Sequence, residues 1–160
     1  MRLRHSLSHV FRKKIKCIIL IDKRIKTSAA VYGKYHTKRG FIMEYRRFGN
    51  TIYLRLDPKE EILEEIGKVA KKENIRLAQV TGLGAINDFT AGVYNTVTKE
   101  YHSIQFQGAF EIVSLTGTVT RKDGDVYLHL HIAAGDEEGH VHGGHLNRAI
   151  ISATARSRSR

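Results

Sequence analysis

Three histidines have the type and spacing of metal ligands. Residues 126–132, VYLHLHI, alternate along the chain as a β-strand does, so His129 and His131 share one face. Two glycines precede His145, and their conformational freedom lets the main chain fold closely enough to aim that imidazole at the same face. Imidazole nitrogens bind zinc, nickel, copper or iron, and three of them leave zinc an open coordination position. The predicted site consists of His129, His131 and His145 as metal ligands, with Gly143 and Gly144 as ligand-binding residues.

Two other interpretations of these histidines stay open at the level of sequence. They could line a metal-free ligand pocket, or they could be half-buried groups that hydrogen-bond to one another or to a subunit neighbour. His140 and His142 flank the turn before His145, and we expect both to face solvent. No residue pattern identifies a DNA-contacting surface, so the DNA-binding residues are unknown.

Glu111 is a second candidate for chemistry. It interrupts the apolar run of residues 110–113, FEIV, and a carboxylate in such a place is either paired or functional. If it shares the histidine cavity, burial would raise its pKa and it would act as a catalytic acid or base. The alternative is a structural carboxylate that is satisfied by a backbone amide or by an arginine such as Arg121 or Arg148.

The clearest helix signal follows a predicted strand at residues 51–56. Asp57 suits the N-cap, Pro58 suits the first helical position, and Glu60 stands where its carboxylate can reach the Asp57 amide. Apolar residues then recur at spacings of three and four, and Asn74 is the expected end. The predicted apolar face consists of Ile62, Ile66, Val69 and Ala70.

Strand-like runs occupy most of the chain after this helix, and Lys122-Asp123-Gly124 is expected to close a hairpin. The connections are too short for crossover helices, which favours an α+β fold. We expect an antiparallel or mixed sheet with one main helix packed against it. The predicted strands are residues 76–80, 89–94, 101–107, 111–120, 126–133 and 146–154.

The positive charge of the chain is concentrated at its ends. The formal net charge is +11, and residues 1–42, 43–150 and 151–160 carry +11, −3 and +3. A DNA-binding domain normally carries its basic residues on the folded body, so charge supports DNA binding only weakly. A single cysteine and the lack of an apolar run of about 18 residues predict a cytoplasmic protein that no membrane helix anchors.

Residues 1–42 lack sustained periodicity and are predicted to be a basic, mostly unstructured extension with one apolar patch. We expect translation to begin naturally at Met43, which would make this extension spurious. A DNA- or membrane-attracted arm is the alternative. The expected organisation is therefore an extension at 1–42, a domain at 43–154 and an Arg/Ser tail at 155–160.

The motifs of the central region resemble those of the PPC (plants-and-prokaryotes-conserved) domain. The resemblance rests on residues 108–117, GAFEIVSLTG, on the H-x-H element, and on residues 143–146, GGHL. It implies a compact α+β subunit that forms a homotrimer. Stand-alone prokaryotic members are usually described as DNA-binding proteins, and some hold a metal at histidines that would correspond here to His129, His131 and His145.

Two departures from that family pattern affect what we expect. The minor-groove R-G-R-P core of an AT-hook is missing from the sequence. Family members also continue past residue 154 with apolar strand residues, whereas this chain reads ARSRSR. We therefore expect a truncated or frameshifted C-terminus, an exposed sheet edge and marginal stability.

Two functions follow as expectations from the motifs and the resemblance. The first is a trimeric, non-catalytic, DNA-associated or regulatory module with zinc or another divalent transition metal at the three histidines. The second is a metal-dependent lyase or hydrolase that acts on a small molecule, with Glu111 as acid or base, because the H-x-H layout is also similar to that of zinc enzymes such as acetolactate decarboxylase.

Overall fold

One helix packs against a large antiparallel sheet in the computed structural model, which describes residues 17–23, 32–34 and 44–152. The predicted α+β class is confirmed, and every strand pairing in these ranges is antiparallel. The sheet order is β2-β3-β4-β1-β5-β6-β7-β8. The elements are β1 (Cys17–Lys23), β2 (Tyr32–Lys34), β3 (Glu44–Phe48), β4 (Thr51–Leu56), α1 (Ile62–Lys72), β5 (Ala78–Tyr94), β6 (Tyr101–Lys122), β7 (Asp125–Gly135) and β8 (Val141–Ile151).

The last four strands close on themselves. β8 pairs with β7 through residues 141–145 and with β5 through residues 145–151, so β5, β6, β7 and β8 form a small ring. β5 and β6 are long enough for this because each joins two of the predicted strands into one. A register shift between Gly82 and Gly84 lets β5 bend as it passes from the open sheet into the ring.

The predicted hairpin turn is present between β6 and β7. Asp123 and Gly124 form a two-residue loop, and both have positive φ, 52° and 88°. Two positive φ values are what a type I′ turn requires, and Gly124 adopts that conformation without steric cost. The turn sets the register that places the β7 histidines opposite threonines of β6.

The helix starts later than the capping pattern predicts. Glu60 does accept a hydrogen bond from the Asp57 amide at 2.7 Å, but α1 begins at Ile62 with Glu61 as its N-cap. The intervening residues are held by β8 instead, since Lys59 N donates to Ile151 O at 2.9 Å and Ile151 N donates to Glu60 O at 3.0 Å. Pairing with a distant strand therefore overrides the local helix start. The predicted apolar face is confirmed, because Ile62, Ile66, Val69 and Ala70 are all fully buried.

The described parts of the predicted N-terminal extension are strands, β1 at residues 17–23 and β2 at residues 32–34. β1 lies between β4 and β5 in the sheet. Ile19 and Ile21 are fully buried, and they belong to the main hydrophobic core. The apolar patch of the extension is therefore a core strand. β4 and β5 exchange backbone hydrogen bonds with it on either side, and its buried isoleucines pack in the core.

Other predictions about the chain ends concern residues that lie outside the described ranges. The Arg/Ser tail at 155–160, the C-terminal departure from the family and residues 1–16 belong to this group. Among the helices within the described ranges, none is long and apolar enough to cross a membrane.

Candidate metal centre

Two neighbouring strands bring the three predicted ligands to one face of the ring. Leu130 and Ile132 of β7 point into the core, so His129 and His131 project from the opposite, outer face. His145 of β8 lies directly opposite His131 in the sheet register. Side chains of directly opposed residues share a face, so the prediction that these imidazoles come together is met by the geometry.

The spacing of the imidazoles suits a tetrahedral metal. His131 Nε2 lies 3.4 Å from His129 Nε2. Zinc–nitrogen bonds of about 2.0–2.1 Å in a tetrahedron separate the ligand nitrogens by roughly 3.4 Å. One ligand nitrogen of each of the three histidines lies within 4.8 Å of the others, so small side-chain rotations bring His145 to that spacing. His129 and His131 are exposed and His145 is half-buried, so a metal bound to them would have a fourth coordination position open to solvent.

The electrostatics of His145 favour the form that binds metal. Burial lowers its pKa, and the neighbouring His129 and His131 lower it further because a positive charge on either would repel a second one. A lowered pKa keeps the His145 ring neutral at neutral pH. A neutral ring offers the lone pair that a metal ion requires.

The paired glycines before His145 allow close strand packing. A Cβ on Gly143 would lie 2.1 Å from the Ile132 carbonyl oxygen, and one on Gly144 would lie 2.6 Å from the Gly92 carbonyl oxygen. Gly144 also has φ of +152°. The two glycines thus let β8 approach β7 on one side and β5 on the other, which places His145 opposite His131. Whether they also contact a ligand remains a prediction.

Two tyrosines that the sequence analysis missed border the histidines. The Tyr101 ring lies 6.3 Å from the His145 ring, and its hydroxyl donates to Asn147 Oδ1 at 2.6 Å. The Tyr127 ring lies 6.5 Å from that of His129. Strand alternation could have identified Tyr127, which lies two residues before His129, but Tyr101 reaches the site through sheet pairing that no local pattern reveals.

Glu111 does not join the three histidines within one chain. It is exposed on β6 and pairs in register with Gly135, four residues beyond His131 along β7. At about 3.3 Å per residue this is roughly 13 Å of strand. The apolar neighbours Phe110 and Ile112 are buried because they point to the opposite face of β6. Within the single chain the Glu111 carboxylate is therefore exposed and does not share a cavity with the histidines, and its catalytic role stays a prediction.

His142 departs from its predicted exposure. It lies opposite Ala134, a core residue, so its ring is half-buried on the inner face. That ring lies 4.9 Å from the Phe106 ring, and its Nε2 lies 3.0 Å from Asp136 Oδ2. The hydrogen bond from His142 is the main reason that the pKa of Asp136 is lowered. His140 is exposed, as predicted.

Asp136, Glu138 and His140 form a second group that could geometrically hold a metal. Its geometry has a structural explanation, because Asp136 Oδ1 accepts hydrogen bonds from the backbone amides of Glu138 and His140 and so closes the turn between β7 and β8. We assign no metal site there.

Comparison with known proteins identifies the family. A family model for the Plants and Prokaryotes Conserved (PCC) domain, the family abbreviated PPC above, matches residues 43–156. The chain belongs to this family. The resemblance drawn from the sequence motifs is thereby confirmed. No curated protein matches this PCC-domain chain.

Solved structures share the fold of this PCC domain. A candidate DNA-binding protein from Bacteroides thetaiotaomicron is 29% identical with a TM-score of 0.67, and the match covers 74% of this chain and 86% of that one. A metal-containing protein from Archaeoglobus fulgidus is 32% identical with a TM-score of 0.58 over 61% of this chain and 69% of that one. A plant- and prokaryote-conserved protein from Pyrococcus horikoshii is 30% identical with a TM-score of 0.58, and the coverage is 79% and 78%.

Proposed function

We propose that this PCC-domain protein binds a divalent transition metal, zinc in the first place, through His129, His131 and His145. The observation that carries the proposal is the convergence of three imidazoles, with two ring nitrogens 3.4 Å apart. A similar structure is that of a protein described as metal-containing, which adds support. In this proposal the metal is a structural or regulatory component of a non-catalytic module.

Elemental analysis of the purified full chain tests the metal. We expect about one zinc or similar ion per chain, and its loss in the double variant His129→Ala/His131→Ala, because one imidazole cannot hold the ion. His102→Ala is the matched control, since His102 is largely exposed and is not part of the three-histidine group. A chain that takes up no metal even after incubation with zinc would contradict the proposal. The histidines would then be residues of a metal-free pocket or of packing.

The proposed assembly is a homotrimer. The family resemblance implies it, and many exposed aliphatic side chains of the described residues support self-association. Size-exclusion chromatography with light scattering measures the mass of the assembly. We expect three times the 18.1 kDa of one chain. A monomer at micromolar concentration would refute the proposal. The aliphatic side chains that are more than half exposed are Leu83, Val93, Val97, Ile104, Val113 and Val141.

DNA association is the proposed regulatory role. It rests on the family and on similar structures described as candidate DNA-binding proteins, whereas residues 43–150 carry a net charge of −3. The basic residues 1–42 are therefore the expected source of affinity. Neutralising Arg12, Lys13 and Lys14 with glutamine should reduce the slope of log affinity against log salt by up to about 0.9 for each charge that contacts phosphate. Absence of DNA binding at low salt would exclude this role.

A metal-dependent lyase or hydrolase remains the second candidate. The exposure of His129 and His131 favours it, because a substrate oxygen or water can reach the open coordination position. A bound metal would polarise a carbonyl or activate that water. Since Glu111 is far from the histidines within one chain, its proposed acid–base role requires a neighbouring subunit to bring it there. Loss of turnover in His131→Ala with the assembly intact would support an enzymatic function. Unchanged turnover in Glu111→Gln would show that Glu111 is not the catalytic acid or base.

A further inference from the structure

β1 lies in a slot whose walls are built from other parts of the chain. One wall is β4 and the other is β5, and α1 lies between these two strands in the sequence. β1 pairs with β4 over residues 17–22 and with β5 over residues 18–23. Both walls therefore present a row of backbone donors and acceptors to whatever strand occupies the slot.

The inner side of the slot selects apolar side chains at alternate positions. Ile21 lies between Ile52 and Val80 in the register, and all three are fully buried. Ile19 is also fully buried, two residues before Ile21. Leu20 projects from the opposite face and is partly exposed. The slot therefore fits an extended segment with two apolar residues separated by one.

The direction of the occupying strand is also fixed. β8 and β1 lie end to end along the same edge of β5, since β8 pairs as far as Ile86 and β1 begins to pair at Leu83. Two residues of β5, Gly84 and Ala85, lie between these pairings, and Ser152 N, just past β8, donates to Ala85 O at 3.0 Å. Both strands run antiparallel to β5. β1 itself reaches the slot from a part of the chain that is remote in sequence from both walls, so backbone pairing and side-chain fit hold it there without a short connection to either wall.

We propose that the slot between β4 and β5 is a strand-binding site in its own right. It takes an extended apolar peptide segment by adding it as a strand, and β1 is a tethered and exchangeable occupant. A tether raises the effective concentration of β1 to the order of millimolar, so β1 excludes free segments under ordinary conditions. The site is separate from the three histidines, which lie on β7 and β8.

The test uses the full chain with β1 released. Ile19→Asp/Ile21→Asp places two carboxylates against the core and should expel β1. A fluorescent peptide of residues 14–24 is titrated with this variant, and polarisation reports binding. We expect saturable binding of one peptide per chain, and at least about tenfold weaker binding to the unaltered chain, in which the tethered β1 competes. Leu20→Asp is the matched control, because it adds one charge on the outer side and should behave as the unaltered chain does.

Two further measurements make the outcome decisive. The same peptide with Asp at positions 19 and 21 should bind at least about tenfold more weakly, since its carboxylates would be buried. Equal binding by both peptides would overturn the proposal, as would a released variant that is folded by far-UV circular dichroism and binds neither. If the released variant is unfolded, the unaltered peptide should restore its strand signal. Failure to restore that signal would likewise overturn the proposal.

Discussion

Gly143→Ala should weaken metal binding although it changes no ligand. The alanine Cβ would lie 2.1 Å from the Ile132 carbonyl oxygen, whereas real Cβ contacts essentially never fall under 3.0 Å. The carbonyl belongs to the backbone of β7 and cannot rotate away. β8 must therefore move away from β7 by about 1 Å, and this shift occurs two residues before His145.

The expected magnitude follows from the tolerance of metal coordination. Metal–ligand distances hold within about 0.2 Å, so a shift of about 1 Å exceeds what the three metal–nitrogen bonds tolerate without rearrangement. Disturbing the orientation of a metal ligand typically lowers affinity 10- to 100-fold. We therefore expect zinc affinity to fall by about that factor, which corresponds to about 1.4 to 2.8 kcal/mol.

Zinc competition against a chromophoric chelator measures the effect, with circular dichroism of the metal-free proteins as the check on folding. Gly67→Ala is the matched control, because Gly67 lies in α1 and the atom nearest to an added Cβ is Leu128 Cδ1 at 4.0 Å. That control should keep its zinc affinity and gain about 0.5–1 kcal/mol of stability. Gly144→Ala, which meets the Gly92 carbonyl oxygen at 2.6 Å, provides a second disturbed variant. Wild-type affinity in folded Gly143→Ala would refute the reasoning.

Three further predictions concern stability, each measured by urea unfolding. Ile21→Ala should lower the free energy of unfolding by about 2–5 kcal/mol, because Ile21 is fully buried in β1. Glu60→Gln should raise the free energy of unfolding most at high pH: burial raises the pKa of Glu60, so the folded state holds its proton more tightly than the unfolded chain. Its stabilising contribution is present at low pH and is lost as pH rises from the ordinary glutamate range through the raised pKa. Arg121→Ala should cost about 1–2 kcal/mol, since its Nε donates to Ile75 O at 2.9 Å and its Nη2 to Asn74 Oδ1 at 3.3 Å.

Each of these three has its own control. Leu20→Ala, on the partly exposed side of β1, should cost clearly less than Ile21→Ala, and equal costs would mean that β1 is not a core strand. For Glu60, the difference between variant and wild type across pH isolates the one carboxylate, and a pH-independent difference would contradict the sign derived above. Arg76 is an exposed arginine in the segment before β5, and Arg76→Ala should leave the free energy of unfolding within about 0.5 kcal/mol of wild type. If Arg76→Ala and Arg121→Ala lowered the free energy of unfolding equally, the hydrogen bonds of Arg121 would have no specific stabilising role.

Much of the candidate site could be predicted because the sequence patterns that define it involve residues close together in the chain. The two-residue period of a strand assigns His129 and His131 to one face without any knowledge of the neighbouring strands. The three- and four-residue spacing of Ile62, Ile66 and Val69 similarly defines the buried face of α1. The Asp123-Gly124 turn follows from the conformational preferences of its own residues.

Pairing between strands that are distant in the sequence decided the features that local patterns could not predict. Strand β1 carries no sequence signal that it inserts between β4 and β5, and the start of α1 is shifted by hydrogen bonds to Ile151. Glu111 is exposed rather than buried because the side of β6 that faces the core is set by the whole sheet. Local periodicity states which residues share a face, whereas only the assembled sheet decides which face is buried and which strands become neighbours.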